Sequence, residues 1–140
     1  MLTPHFRIEE FVPEVIFREY GDHSIWFIDE RLPQLAEFIR MRFGCSMTIN
    51  NWLWGGGRNN SGFREPECTI GARLSDHKRG IALDIVPKDI TPEEIRQDII
   101  SNFLVYRKLG LTTIEMGTDT WLHISLRYTG LNELLQIPLY

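Results

Sequence analysis

The sequence predicts an α+β domain, with helices packed on one face of a mostly antiparallel central sheet and the other face left for a functional site. Three observations predict this class: segments with apolar residues at helical spacing, short β-branched segments with alternating side chains, and a hairpin pattern near the C-terminal end. A chain of 140 residues suits one domain, and it contains no internal repeat or linker. We therefore expect residues 1–140 to form a single domain.

The composition excludes several classes of protein. Hydrophobic residues make up 43% and charged residues 24% of the chain, which is typical of a globular protein and unlike a disordered one. A formal net charge of -4 argues against nucleic acid or an anionic membrane as a partner. Five cations between residues 58 and 79 are read as a solvated surface, with a local basic patch as the alternative. Cys45 and Cys68 are too few for a disulfide framework and are expected to be free thiols.

The N-terminal sequence predicts synthesis in the cytoplasm. Residues 1–14 lack the basic start and continuous apolar run of a signal peptide. No segment approaches the roughly 18 apolar residues of a membrane span, so we expect no membrane insertion. Export would need another component, and the sequence leaves the oligomeric state open.

The first part of the chain is predicted to contain one long helix. Residues 1–25 read as an N-terminal arm with a short helical piece around residues 8–11. Between residues 29 and 43 apolar side chains recur at helical spacing, and Gly44 follows where the helix would stop. This spacing predicts a helix that packs by one face.

Two strands and a loop are predicted next. Residues 47–52 predict a strand, and the Gly- and Asn-rich residues 55–62 predict an irregular loop of the kind that serves a site. Residues 81–86 predict a second strand. Its side chains alternate in direction, so Asp84 points away from the apolar side chains of Ile81, Leu83 and Ile85.

The last part of the chain predicts a helix and a hairpin. A capping box at residues 91–94, with proline at the first helical position, begins a helix that ends at residue 102 or 103. Residues 111–116 and 121–127 predict two strands joined by a short turn. In the second strand His123 faces away from the core-facing residues Leu122, Ile124 and Leu126.

A histidine, an aspartate and a second histidine have the spacing of metal ligands. His77 ends a loop, Gly80 lets the chain turn, and Asp84 lies inside the following strand, while His123 belongs to a neighbouring strand. Two imidazoles and a carboxylate suit zinc and leave a fourth position open, as a catalytic site requires. We expect one Zn²⁺ ion, although iron or manganese can use the same ligands. The alternative is that each is an ordinary polar residue at a strand end.

This pattern resembles the signature of the M15 family of metallopeptidases. The motif SxHxxGxAxD, followed at a distance by WxH, is matched at all its fixed positions, which are Ser75, His77, Gly80, Ala82, Asp84, Trp121 and His123. The segments LTPHFRIEEF and SGFREPECTIGA are also similar to small M15 peptidases of phages and prophages. The resemblance covers nearly the whole chain and implies the Hedgehog/DD-peptidase fold.

The resemblance implies a zinc-dependent carboxypeptidase or endopeptidase that hydrolyses peptidoglycan stem peptides at a bond next to a D-amino acid. It implies a phage or prophage lysis protein, which would act on the cell wall after release by a holin or tail machine. Arg64 resembles the arginine that binds the substrate or polarises the scissile carbonyl. The alternative for Arg64 is a salt bridge to Glu65 or Glu67. Trp121 is read as a packing residue beside the metal, with substrate stacking as its alternative.

Three positions before the last histidine the family usually has an acidic residue, and in this sequence that position is occupied by Thr120. A threonine hydroxyl is not a general base for the attacking water. If Glu115 pairs opposite His123, the two side chains project from one face about 5 Å apart at their Cβ atoms. Glu115 is then the preferred base, whereas a register shifted by one residue leaves Asp119 as the candidate. The alternative is that both acids are solvated hairpin residues.

The lack of an acid at position 120 also favours a different function. In this alternative the protein is a non-catalytic zinc-stabilised structural or binding module, such as a component of a phage particle. Ser125 stands where similar phage peptidases carry Asp, and it would orient a histidine ligand more weakly than an acid. Ser75 is expected to make a loop hydrogen bond. Nonmetal hydrolysis through Cys68 lacks a histidine partner other than those assigned to zinc.

Overall fold

The computed structural model describes residues 1–139, and Tyr140, the last residue of the predicted domain, lies outside them. Five strands form one sheet: β1 (Met47–Thr48), β2 (Ala82–Pro87), β3 (Thr113–Glu115), β4 (Leu122–Ser125) and β5 (Leu135–Ile137). Their order across the sheet is β1-β2-β4-β3-β5. Three of the four pairings are antiparallel, and β5 runs parallel to β3. The predicted α+β class is confirmed, with a mixed sheet.

Residues 1–139 also form four α-helices: α1 (Glu14–Tyr20), α2 (Arg31–Phe43), α3 (Pro92–Ser101) and α4 (Phe103–Arg107). Four short 3₁₀ segments accompany them: Ile8–Glu10, Gly21–Phe27, Trp52–Trp54 and Asp76–Arg79. Within residues 1–139 no helix has both the length and the apolar character needed to cross a membrane.

One face of the sheet is apolar because the strand register aligns apolar positions. Leu83 of β2 lies opposite Ile124 of β4, and Ile85 lies opposite Leu122. All four side chains are fully buried. They belong to the same core as the apolar residues of α2 and α3, which are Leu32, Leu35, Ala36, Ile39, Ile95 and Ile99. Each such burial contributes about 1.5–3 kcal/mol, so α2 and α3 are held to this face.

The predicted start of α3 and the predicted end of α2 are confirmed, whereas α2 begins two residues later than predicted and α3 ends at Ser101. Thr91 Oγ1 accepts a hydrogen bond from the backbone N–H of Glu94, and the Glu94 carboxylate accepts one from the backbone N–H of Thr91. Gly44 ends α2 with a φ of 63°, in the left-handed region where glycine is favoured. The chain turns at Asn102, beyond the end of α3, and continues as α4, which the sequence did not predict.

Residues 1–25 differ from the predicted arm because their side chains enter the core. Phe6 and Phe11 are buried with their ring centroids 5.9 Å apart. The carbonyl oxygen of Phe11 accepts a hydrogen bond of 2.8 Å from the backbone N–H of Phe63. The N-terminal segment is therefore an integral part of the domain and supports the loop that leads to the polar face of the sheet.

The strand predicted at residues 47–52 is reduced to Met47–Thr48. The side chain of Asn50 donates to the carbonyl oxygen of Val12 at 3.0 Å and accepts from the backbone N–H of Ser61 at 2.9 Å. Asn50 is thus bonded to the N-terminal segment and to the glycine-rich loop, and the chain leaves the sheet after Thr48.

The C-terminal strands are shorter than predicted, and one strand was missed. The hairpin strands comprise three and four residues, and β5 adds a parallel edge beside β3. Only Ile137 in β5 is β-branched, so its sequence carries little strand signal. The two cysteines, Cys45 and Cys68, are free thiols as predicted.

Candidate metal centre

The three predicted ligands come together on the polar face of the sheet. Asp84 of β2 lies directly opposite His123 of β4 in the antiparallel register. His77 belongs to the 3₁₀ segment Asp76–Arg79, which precedes β2. One ligand atom from each side chain lies within 4.8 Å of the others. Among residues 1–139 this is the one group of three such side chains that could hold a metal ion.

The distances between the ligand atoms are near those around one bound metal ion, but not equal to them. His77 Nε2 lies 3.4 Å from Asp84 Oδ2, and His123 Nδ1 lies 2.8 Å from Asp84 Oδ1. Tetrahedral zinc with bonds of about 2.0–2.1 Å places its ligand atoms roughly 3.3 Å apart. The first distance matches this value, and the second would need to open by about 0.5 Å. The donor set and its spacing are therefore compatible with zinc.

The backbone orients His77. Its Nδ1 lies 2.8 Å from the carbonyl oxygen of Gly62. A carbonyl oxygen only accepts, so Nδ1 carries the proton and Nε2, which faces Asp84, is available as a ligand atom. The backbone N–H of His77 donates to Ser75 Oγ at 3.2 Å, which confirms the loop hydrogen bond predicted for Ser75.

Asp84 is held as a carboxylate. Its burial would by itself raise its pKa, but its contacts with the His123 and His77 rings outweigh the burial and hold that pKa well below the usual range. The backbone N–H of Asp84 donates to the carbonyl oxygen of Ser61 at 2.7 Å. A metal ligand must be deprotonated, so this environment favours metal binding.

Gly80 sets the path between the first two ligands. Its φ is 68°, in the left-handed region. A Cβ at this position would lie 2.0 Å from the carbonyl oxygen of Phe27. The turn between His77 and Asp84 therefore requires glycine, which gives a physical reason for this fixed position of the motif.

A cavity of about 370 Å³ opens over the three ligands. Its walls include Glu115, Trp121, Arg64 and Arg127. Larger but shallower grooves lie near Trp52 and Leu74, and neither contains the ligand group. The cavity over the ligands is thus the place where a substrate would meet a bound metal ion.

The hairpin brings Glu115 to this cavity and leaves Asp119 outside it. Ile114 pairs with Ile124 at the end of the β3–β4 ladder, and the same register continued by one residue would set Glu115 opposite His123. Glu115 lines the cavity, whereas the exposed Asp119 lies in the turn and does not. In this register the sequence analysis favours Glu115 over Asp119 as the general base. The turn carries Asp119, the alternative base, away from the ligands.

A buried arginine that the sequence analysis missed holds this turn. Arg96 of α3 donates to Thr118 Oγ1 at 2.8 Å and to the Thr118 carbonyl oxygen at 2.7 Å. The Thr118 hydroxyl in turn donates to the carbonyl oxygen of Trp121. Nothing in the helical pattern distinguishes Arg96 from a solvated helix residue. Its contacts fix the connection between Glu115 and His123.

Arg64 lines the cavity and is only 8% exposed. Its Nε donates to the carbonyl oxygen of Asn60 at 2.7 Å, and Nη1 donates to that of Ile70 at 3.2 Å. Nη2 lies 3.3 Å from Asp84 Oδ2. The ion pair that Arg64 forms is therefore with a candidate metal ligand and not with either neighbouring glutamate.

A second polar cluster follows β4. The buried carboxylate of Asp76 accepts hydrogen bonds from Ser125 Oγ at 2.7 Å, from Arg127 Nε at 2.8 Å and from the guanidinium of Arg79. Burial raises the pKa of Asp76, but these three hydrogen bonds outweigh it and lower the pKa overall. The hydroxyl of Ser125 is bonded to Asp76, so the expectation that it orients a histidine ligand was wrong.

Asp76 and Arg127 were not singled out from the sequence. Asp76 lies inside the motif between Ser75 and His77, at a position the motif leaves variable. Arg127 lies two residues beyond the end of β4. Side chains alternate in direction along an extended chain, so the sequence could have indicated that Arg127 lies on the same face as His123.

The chain matches no protein-family model, no curated protein and no solved structure in the comparisons made with each. Function is therefore inferred from the arrangement of the site residues.

Proposed function

We propose that the protein is a zinc-dependent peptidase of the M15 type with the Hedgehog/DD-peptidase fold. It hydrolyses peptidoglycan stem peptides at a bond next to a D-amino acid. The observation that carries this proposal is the convergence of His77, Asp84 and His123 under one cavity, with Glu115 beside them. The three ligand residues would hold one Zn²⁺ ion and leave one position open.

Zinc bound there supplies Lewis acidity, which lowers the pKa of water and polarises a carbonyl group. Glu115 is the general base in this proposal. In the extended register Glu115 and His123 would have Cβ atoms about 4.5–5.5 Å apart, which would let the Glu115 carboxylate act on a water molecule held by the ligands. It takes a proton from the attacking water and delivers it to the leaving amine.

Arg64 stabilises the negative charge that develops on the scissile carbonyl oxygen. Its Nη1 and Nη2 each make one hydrogen bond to the protein, and each carries a second N–H. Its burial fixes the guanidinium in place before the substrate binds, which is the condition for electrostatic stabilisation of a transition state. Trp121 forms part of the cavity wall beside the ligands.

The biological setting that we propose is cell-wall degradation by a phage or prophage lysis protein. Support comes from the similarity of the N-terminal segment and of the residues around Arg64 to small phage peptidases. The cavity of about 370 Å³ has room for a few residues of a peptide. In this setting the protein reaches the wall through a holin or a tail machine.

A second candidate is a non-catalytic zinc-stabilised module of the same fold, such as a component of a phage particle. The observation that favours it is Thr120, which lies exposed in the turn where the family usually places its acid. In this case zinc stabilises the fold and Glu115 has no catalytic role.

The deciding experiment measures zinc content and hydrolysis on the same purified protein. The full chain is incubated with peptidoglycan and with D-Ala-terminated stem peptides, and the products are identified by mass spectrometry. We expect zinc-dependent release of a defined fragment. Glu115→Gln should lower the rate by about 10²- to 10⁴-fold while the variant retains zinc, because a positioned base contributes that much.

Asp119→Asn is the matched control, since Asp119 carries the same charge type on the same hairpin but lies outside the cavity. It should retain full activity. Bound zinc without any cleavage by the wild-type protein would favour the non-catalytic module. A loss of rate in Asp119→Asn alone would overturn the assignment of Glu115.

A further inference from the structure

The wall of the cavity carries a cation that the hydrolytic mechanism does not use. Arg127 lies four residues beyond His123, and both line the cavity. The Arg127 side chain therefore borders the same space as the three ligands.

Arg127 is held at three points. Its backbone N–H donates to Ser125 Oγ at 3.0 Å, and its carbonyl oxygen accepts from Thr112 Oγ1 at 2.5 Å. Its Nε donates to Asp76 Oδ2 at 2.8 Å. Asp76 is only 3% exposed and accepts a further hydrogen bond from Ser125. The guanidinium is therefore oriented before any ligand arrives, which lowers the entropy lost on binding.

The outer part of the Arg127 guanidinium is available to a ligand. Within residues 1–139 its two Nη groups make no hydrogen bond, and the side chain is 37% exposed. Both Arg79 and Arg127 face the one carboxylate of Asp76, so that carboxylate does not neutralise both cations. A planar guanidinium with free N–H groups matches a carboxylate, which it binds through two parallel hydrogen bonds.

We propose that Arg127, positioned by Asp76 and Ser125, binds a carboxylate group of the substrate and thereby sets which peptide bond lies beside Glu115. This inference rests on the proposed peptidase function and names a determinant of its specificity. The carboxylate belongs either to the C-terminus of the peptide or to a D-glutamyl residue within the stem. The chemistry of recognition is the same for both.

The test compares peptides that differ only in one carboxylate. One pair is a D-Ala-terminated stem peptide as the free acid and as the C-terminal amide. The other pair carries a D-glutamyl residue as the α-carboxylate or the α-carboxamide. The zinc-loaded full chain should prefer the acid of one pair by about 10- to 100-fold in kcat/KM, the range expected for charge-assisted hydrogen bonds. The pair that shows the preference identifies the source of the carboxylate.

Arg127→Gln should abolish this preference by lowering kcat/KM for the acid while leaving the amide unchanged. Arg79→Gln is the matched control, because Arg79 contacts the same Asp76 carboxylate but does not line the cavity. It should keep the preference. An equal fall for acid and amide in Arg127→Gln would indicate a structural role, and an undiminished preference would show that another group reads the carboxylate. Either result overturns the inference.

Binding separates this inference from the peptidase proposal. The dissociation constants of both peptide pairs are measured by calorimetry in the slow Glu115→Gln protein, with and without Arg127→Gln, so that the peptides are not consumed during the titration. A tighter Kd for the acid that is lost on adding Arg127→Gln supports carboxylate binding even if the wild-type protein shows no hydrolysis. Equal Kd values for acid and amide in Glu115→Gln overturn it even if the wild-type protein hydrolyses the peptides.

Discussion

The two faces of β2 and β4 are made by alternate residues of the same strands, yet different interactions hold them. On one face Leu83 and Ile124 oppose each other in the core, fully buried against helices. On the other face the next pair, Asp84 and His123, is joined by a contact of 2.8 Å between ring nitrogen and carboxylate oxygen. Apolar burial is non-directional, whereas the polar contacts depend on each partner and its orientation.

The apolar face therefore supplies stability, whereas the polar face supplies a site whose parts depend on one another. The apolar face tolerates exchanges of similar volume. On the polar face, removal of one partner leaves the others buried and unpaired, which costs more than the hydrogen bond itself contributes. Substitutions on the two faces should therefore separate stability from metal binding.

The largest effect is expected from Asp84→Ala on the polar face. The variant loses the central ligand, so bound zinc should fall from one ion per chain to a trace. It also leaves the buried guanidinium of Arg64 without its carboxylate, which should lower the free energy of unfolding by about 3–5 kcal/mol. Metal analysis and urea unfolding measure the two changes. Asp119→Ala should alter neither, and stoichiometric zinc in Asp84→Ala would contradict the ligand assignment.

The next effect is expected from Ile124→Ala on the apolar face. Its side chain is fully buried, and its truncation should lower the free energy of unfolding by about 2–5 kcal/mol. The folded variant should still bind one zinc ion, because no ligand is changed. Leu104→Ala, on an exposed position of α4, should shift stability by less than about 0.5 kcal/mol. Loss of zinc from folded Ile124→Ala would show that the two faces are not separable.

Removal of zinc should act on the polar face alone. If zinc binds only the folded chain, saturation at 100 times its Kd stabilises the protein by about 2.7 kcal/mol, and a chelator removes that stabilisation. The shift should be present in wild type and in Ile124→Ala but absent in Asp84→Ala. Thermal unfolding with and without chelator measures it. A chelator shift of the same size in Asp84→Ala would place the zinc elsewhere.

The apolar face was predictable from sequence because its signals are local. The alternation in residues 81–86, the helical spacing in residues 29–43 and the capping box at residues 91–94 each act within a few residues. Each was confirmed as a strand or helix whose apolar residues share one core. The identity of His77 and His123 as partners of one site came from the motif.

The hydrogen bonds that hold the residues of the polar face in place were not predictable from local sequence patterns. The hydrogen bond between Ser125 and Asp76 joins residues 49 positions apart, and that between Arg96 and Thr118 joins residues 22 positions apart. Such contacts leave no periodic pattern. The choice between Glu115 and Asp119 depended on hairpin register, and that register follows from a turn held by a helix elsewhere in the chain.

The smallest effect is expected in a third region, where Asp98 of α3 accepts hydrogen bonds from Arg42 Nε at 2.6 Å and from the hydroxyl of Tyr106. The hydrogen bond from Arg42 is the main cause that lowers the pKa of Asp98. A carboxyl group with a lowered folded-state pKa stabilises the protein above its unfolded value of about 3.9, and this stability is lost as pH falls through the folded value. Asp98→Asn should therefore lower the free energy of unfolding by about 0.5–1 kcal/mol above about pH 5.

The difference between wild type and Asp98→Asn should shrink as the pH falls below about 4 and vanish only below the lowered folded-state pKa of Asp98, where its carboxyl group is protonated and as uncharged as an amide. Urea unfolding between pH 3 and pH 7 measures this convergence. Zinc content at neutral pH should be equal in the two proteins, since the pair lies between α2 and α3 on the apolar side of the sheet. A difference that grows in acid would reverse the sign of the argument, and a loss of zinc would mean that this helical region is coupled to the polar face after all.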